Sequence, residues 1–144
     1  MIEAKRIGDV LGGPRVLGRK VSSIAALSDA VADGLPKSTL RNVVRRVFPN
    51  AAEQRQIMHR VVPEATYKRR RDRLSTAESE RTERLARVIA TAEFVLGEGE
   101  PARRFLTSPH AELGGLSPME AAMTELGARQ AEEVMARILY GLPV

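Results

Sequence analysis

Ser75-Thr76-Ala77-Glu78 constrains this chain more than any other feature. Its Ser oxygen can accept from an orphan backbone N–H, and the Glu three residues later can reach back to the cap. It opens a run to about Leu96 in which Leu85, Val88, Ile89, Ala92, Val95 and Leu96 recur at helical spacing, closed by Gly97 and Gly99. A second box, Ser117-Pro118-Met119-Glu120, follows a Gly114-Gly115 turn and has Pro at the favoured first helical position. Two such starts around a 21-residue amphipathic run predict an all-α chain. Composition agrees: aromatics are 3% with no Trp, so the core has to come from Leu, Val, Ile, Met and Ala.

Punctuation by Gly and Pro divides the rest. Residues 1–21, with Gly8, Gly12, Gly13, Pro14 and Gly18, read as a flexible N-terminal arm; the Gly-Gly-Pro run lacks the Lys and Ser/Thr of a phosphate loop. Residues 22–74 read as a helix-turn-helix-like domain. A helix from Ser22 to Gly34 precedes one from Pro36 with Leu40, Val43, Val44 and Val47 on one face; a third spans Ala51 to His59 and a fourth, basic one Pro63 to Asp72. Residues 75–144 read as a C-terminal domain in which Met119, Ala122, Met123 and Leu126 form one core stripe. After Gly127 a last helix buries Ala131, Val134, Met135 and Ile138. Seven helices and no strand are expected.

Charge separates the two regions. From Pro36 to Arg73 eleven Lys and Arg face three acidic residues, a local +8; from Glu98 onward four Arg face seven Glu, a local −3. The basic region suits a polyanion and the other does not. Glu64-Ala65-Thr66-Tyr67-Lys68-Arg69-Arg70-Arg71 follows a helix, a short turn and a proline, which is the layout of a helix-turn-helix. On that reading Thr66 and Tyr67 meet base edges, while Lys68, Arg69, Arg70, Arg71 and Arg73 hold phosphates; the plainer alternative is a solvated basic face.

No cofactor or catalytic constellation is read. With no Cys there is no thiolate ligand or nucleophile, and His59 and His110 lack companions at metal spacing, so each reads as a structural histidine. Glu78, Glu80 and Glu83 alternate with Arg81, Arg84 and Arg87 as ordinary i,i+3 and i,i+4 pairs on an exposed face. No apolar run suits a membrane span or a signal peptide, which points to a cytoplasmic protein.

The ordered series Ser75-Thr76-Ala77-Glu78-Ser79, Arg84-Leu85-Ala86-Arg87-Val88, Ala92-Glu93, Gly97, Glu100-Pro101-Ala102, Phe105-Leu106, Pro109-His110, Leu113-Gly114-Gly115, Ser117-Pro118, Gly127 and Arg137-Ile138-Leu139-Tyr140-Gly141 resembles the Xre/MbcA/ParS-type antitoxins. Gly34-Leu35-Pro36 and Thr66-Tyr67-Lys68-Arg69-Arg70 extend the likeness towards the N-terminus, with Ala65 where an Arg is common and Phe105 where a Trp is common. The resemblance implies an antitoxin that covers the active site of a RES-domain toxin, an NAD-using enzyme similar to ADP-ribosyltransferases, and that also binds its own operator DNA. It implies toxin contact through Phe105, Leu106, Leu113, Ile138, Tyr140, Gly141, Leu142, Pro143 and Val144, with the last residues inserting into the toxin pocket. A homodimer or a toxin–antitoxin hetero-oligomer is expected. The alternatives are a free-standing helix-turn-helix regulator with a C-terminal dimerisation domain and, from another class, a small enzyme.

Overall fold

The computed structural model describes residues 2–143. Among them are ten α-helices: α1 Ala4–Leu11, α2 Gly13–Leu17, α3 Ile24–Asp33, α4 Ser38–Val47, α5 Ala51–Val61, α6 Glu64–Arg69, α7 Thr76–Leu96, α8 Glu100–Thr107, α9 Pro118–Ala121 and α10 Glu125–Leu139. A 3-10 turn, Ala111–Leu113, sits between α8 and α9. The all-α reading holds; among the described residues no strand forms, only one isolated antiparallel bridge between Pro36 and Arg73.

Helix α7 is the axis of the molecule. Its capping box forms in full: Ser75 Oγ accepts from the Glu78 N–H at 3.2 Å, and Glu78 accepts from the Ser75 N–H at 2.8 Å. Such a cap stabilises a helix by about 1 kcal/mol. With 21 residues, roughly 30 Å, it packs against α1, α3, α4 and α5, which precede it, and against α8, α9 and α10, which follow. Leu85, Ala86, Val88, Ile89, Ala90 and Ala92 are buried along it, and one continuous core runs from Ala4 to Met135.

Residues 4–17 depart from the flexible arm expected of them. They form α1 and α2, and Ala4, Ile7, Val10 and Leu11 are buried against the core. The physical reason is a stripe at i, i+3, i+6 and i+7 that the glycines obscure. Gly8 belongs to the packed face, where an added Cβ would lie 3.2 Å from that of Val21.

Three other boundaries differ. The fourth helix is shorter than Pro63 to Asp72, because residues 72–74 lie beside Leu35–Lys37. Leu74 N–H donates to the Leu35 carbonyl at 2.9 Å, and Lys37 N–H to that of Asp72 at 2.8 Å. Pro36 therefore belongs to this crossing and not to a first helical turn. Gly34 allows it: φ is +91°, and a Cβ there would stand 2.5 Å from the Leu74 carbonyl oxygen. At the other end, Gly127 lies inside α10 rather than before it. The N-terminus of α10 approaches α9 so closely that a Cβ on Gly127 would collide with the Ala121 carbonyl. That shift turns Leu126 outward, 70% exposed, away from the core stripe expected of it.

Candidate functional site

The helix-turn-helix layout is α5, a turn at Val62–Pro63, and α6. Asn50 caps α5 by accepting from the Ala52 and Glu53 N–H groups at 2.7 and 3.2 Å. Helix α6 is only six residues long, and its neighbours decide which side chains it can offer. Tyr67 is turned inward: buried, with its hydroxyl donating to the Lys37 carbonyl at 3.3 Å, His59 edge-on at 6.2 Å between ring centroids, and the Lys37 ammonium 4.4 Å from its ring centre. The expected base contact by Tyr67 is therefore corrected to a core role.

Arg70 and Arg73 are also committed within the chain. Arg70 donates through Nε and Nη2 to the two oxygens of Glu78, at 3.0 and 2.9 Å. Arg73 Nη1 donates to the Gly34 carbonyl at 2.7 Å. The Arg70 fork, with the Ser75 N–H, holds the Glu78 carboxyl below its ordinary pKa. These two arginines fasten the end of α6 to the start of α7 and to the Gly34–Pro36 crossing. Lys68, Arg69 and Arg71 remain exposed, with Thr66 half-buried beside them. Lys68 pairs with Glu64 at 3.1 Å, a solvent-screened contact, and Arg69 approaches the Thr66 hydroxyl at 3.4 Å. Arg41, Arg45, Arg55 and Arg60 add exposed positive charge on α4 and α5.

Of the Glu and Arg residues of α7, expected to pair along an exposed face, Glu83 and Arg87 form an i,i+4 pair at 3.7 Å, and the arginines also tie other elements down. Arg81 Nε donates to the Val61 carbonyl at the end of α5, at 2.9 Å. Arg84 donates to the Ala122 and Met123 carbonyls at 2.9 Å each, satisfying the turn between α9 and α10. Arg87 lies 2.8 Å from Glu132, 3.2 Å from Glu125 and 3.7 Å from Glu83. Burial raises the Glu83 pKa, and the nearby Glu125 and Glu132 charges add to the shift, against the opposing pull of Arg87. On α4, Arg46 grips Glu93 through both oxygens, at 2.7 and 2.9 Å.

The C-terminal region presents a different surface. A groove of about 550 Å³ runs between α7 and α10, with Phe94, Val95, Ala136, Leu139 and Tyr140 among its walls. Phe94 lies off the apolar stripe of α7, is half exposed, and has the Arg6 guanidinium 4.8 Å from its ring centre. That off-stripe position is the signal in the sequence for this groove. Beyond α10 the chain closes in a Schellman arrangement: Gly141 N–H donates to the Ile138 carbonyl at 3.1 Å, and Leu142 N–H to that of Arg137 at 2.8 Å. This leaves Tyr140 at 74% and Leu142 at 54% exposure, with Gly141 and Pro143 exposed beside them.

The remaining residues expected to meet a toxin are less available. Leu106 and Leu113 are core side chains, 1% and 5% exposed, and contact by them is corrected to support of the surface from beneath. Phe105 and Ile138 pack partly against the core, and Phe105 meets His110 edge-on at 6.0 Å. Val144 lies outside the described residues. His110 Nδ1 accepts from the Glu112 N–H at 3.2 Å, while His59 sits 3.2 Å from the Val62 carbonyl. No cluster of metal-ligating side chains and no helix long and apolar enough to cross a membrane occurs among the described residues.

Comparison with known proteins matches both regions. Residues 26–87 match the Antitoxin Xre-like helix-turn-helix domain, and residues 91–141 the Antitoxin Xre/MbcA/ParS C-terminal toxin-binding domain. The two matches meet inside α7, the helix both regions share. The chain is also similar to Antitoxin Xre of Pseudomonas putida, 34% identical over 114 residues that span 77% of this chain and 69% of that protein. The order of its helices, its two full capping boxes and its sequence place this chain in the Xre/MbcA/ParS family of antitoxins.

Proposed function

We propose that this antitoxin neutralises a RES-domain, NAD-using toxin in the bacterial cytoplasm by covering the mouth of its active site. The observation that carries this reading is the apolar end of α10. Leu139, Tyr140 and Leu142 are exposed on a chain whose other large hydrophobics are mostly packed, and exposed apolar clusters of this kind mark protein contacts. The mildly acidic character of the region suits an NAD site, which has to offer positive groups to a pyrophosphate. Residues Gly141 to Val144 enter the pocket and exclude the dinucleotide. The test is co-expression with the neighbouring RES-domain toxin, then size-exclusion chromatography and an NAD-consumption assay. A stable complex with suppressed turnover is expected. Removal of residues 141–144 leaves the fold intact and restores turnover; unchanged inhibition would refute tail insertion.

The same protein binds its operator through α5 and α6, with Lys68, Arg69 and Arg71 on phosphates and Thr66 beside the groove. Each phosphate contact removed lowers the slope of log affinity against log salt by about 1. Replacement of Lys68 and Arg69 by Ala therefore flattens the salt dependence and weakens binding alike for all sequences. Substitution of Thr66 alters preference among sequences instead.

A further inference from the structure

A second helix-turn-helix layout lies one element earlier than the one that ends in α6. Helices α4 and α5, of 10 and 11 residues, are joined by Phe48-Pro49-Asn50. A connection of three residues is the one that motif uses. The turn is held from two sides: Gln54 Nε2 donates to the Phe48 carbonyl at 2.7 Å, and Asn50 Oδ1 caps α5. Helix α5 belongs to both layouts, as the supporting helix of one and the reading helix of the other, and its surface separates them.

Pro49 through Glu53 are exposed without a break, so the start of α5 is open to solvent. The core side of the helix is Ile57, Met58 and Val61. At 3.6 residues per turn the opposite side is Ala52 and Gln56, with Arg55 and Arg60 on its two flanks and Glu53 at the edge, on the flank of Arg60. The side-chain hydrogen bonds that α5 sends out are those of Gln54 and His59. Among the described residues Gln56, Arg55 and Arg60 make none, and no ion pair. Helix α6 offers less: it is six residues long, Tyr67 faces the core, and Arg70 is held by Glu78.

We propose that α5, not α6, is the helix that enters the major groove, and that Gln56 selects a base there; this rests on the operator binding proposed above. A reading helix meets the base edges with the side chains of its first turns. Ala51 and Ala52 let its backbone come close, and the Gln56 amide donates and accepts at once, the pattern that adenine N7 and N6 require. Arg55 and Arg60 reach phosphates on either side and fix the register without reading sequence. Helix α6 then lies outside the groove, with Lys68 and Arg69 on the backbone and Thr66 at its border.

The test is selection from a randomised duplex library with the full chain. Fluorescence anisotropy then follows, on the enriched duplex and its single-base-pair variants, at several salt concentrations. The wild type enriches a motif containing an adenine whose replacement weakens binding about tenfold or more. Gln56→Ala loses that discrimination and keeps both the other positions and the salt slope. Gln56→Glu, which has acceptors alone, moves the preference at that position towards cytosine, whose N4 amine donates. Arg55→Ala and Arg60→Ala each reduce the salt slope by about 1 and leave the motif as it is. All four changes are at exposed positions, and an unchanged melting temperature checks that the fold is kept. An unaltered motif from both Gln56 variants overturns the proposal while operator binding stands, and a motif altered by Thr66→Ala alone returns the reading role to α6. Equal weakening of Gln56→Ala on every duplex makes Gln56 a backbone contact and overturns it too. A wild type that enriches no sequence refutes operator binding itself, and this assignment with it.

Discussion

The two regions of this chain dispose of their charged and apolar side chains in opposite ways. In the basic region the apolar residues are almost all packed, and several arginines are fasteners: Arg46 on Glu93, Arg70 on Glu78, Arg73 on the Gly34 carbonyl. Among the described residues seven large hydrophobics are exposed and six of them lie at or beyond Phe94, so the C-terminal region is where apolar surface is left open. Most of its cations lie within ion-pair distance of a Glu, as Arg87 does with Glu83, Glu125 and Glu132. One region offers charge to a polyanion and the other offers apolar surface to a protein. A run of arginines is thus a poor count of the charge available for binding, because some of it holds the fold.

The largest effect that could break this comparison is on the shared core. Leu85 is 1% exposed and lies in the middle of α7, the helix both regions share. Leu85→Ala is expected to cost about 2–5 kcal/mol and to lower a single unfolding transition seen alike by calorimetry and circular dichroism. Two separated transitions would show independent domains joined by a helix. Next is Glu93→Ala, which leaves Arg46 without its bidentate partner. Because that guanidinium is about one-third exposed, the expected loss is about 1–2 kcal/mol in denaturant titration. Ser117→Ala removes the cap of α9 and costs about 1 kcal/mol.

Smaller still is a difference in pH response. The Glu78 and Glu120 pKa values lie below the ordinary carboxylate value, lowered by the Arg70 fork in one case and by the Ser117 N–H in the other. They contribute stability that is present above that value and is lost as pH falls through their folded pKa. Glu83 is raised by burial, so its contribution has the opposite sign: stability falls as pH rises from the ordinary carboxylate value through its folded pKa. Glu83→Gln should remove that decline, leaving the acid-side loss in place. A stability curve that keeps its original shape would assign the decline to another group.

Much of the fold was legible because local signals agreed with tertiary demands. Ser75 with Glu78, and Ser117 with Glu120, make the caps their spacing implies. Leu85, Val88, Ile89 and Ala92 point into the core as their period requires. Helices α1 and α2 are hidden in the sequence because glycine lowers helix propensity, whereas Gly8 is there for close packing on Val21. Leu126 reads as a core residue because Gly127 has the signature of a helix end, whereas the close approach to Ala121 is what demands glycine there. The site was less legible than the fold. Nothing local distinguishes Tyr67 and Arg70, committed inside, from Lys68 and Arg69 beside them; the difference lies in Lys37 and Glu78, distant or on another helix.

The central claim is that one shared core carries two separable surfaces. The most direct test measures toxin inhibition and operator binding on the same preparations of two variants, Tyr140→Glu and Lys68→Ala/Arg69→Ala. The account predicts that Tyr140→Glu loses inhibition and keeps operator binding, and that the double variant does the reverse with its melting temperature unchanged. Loss of both activities in either folded variant would contradict it.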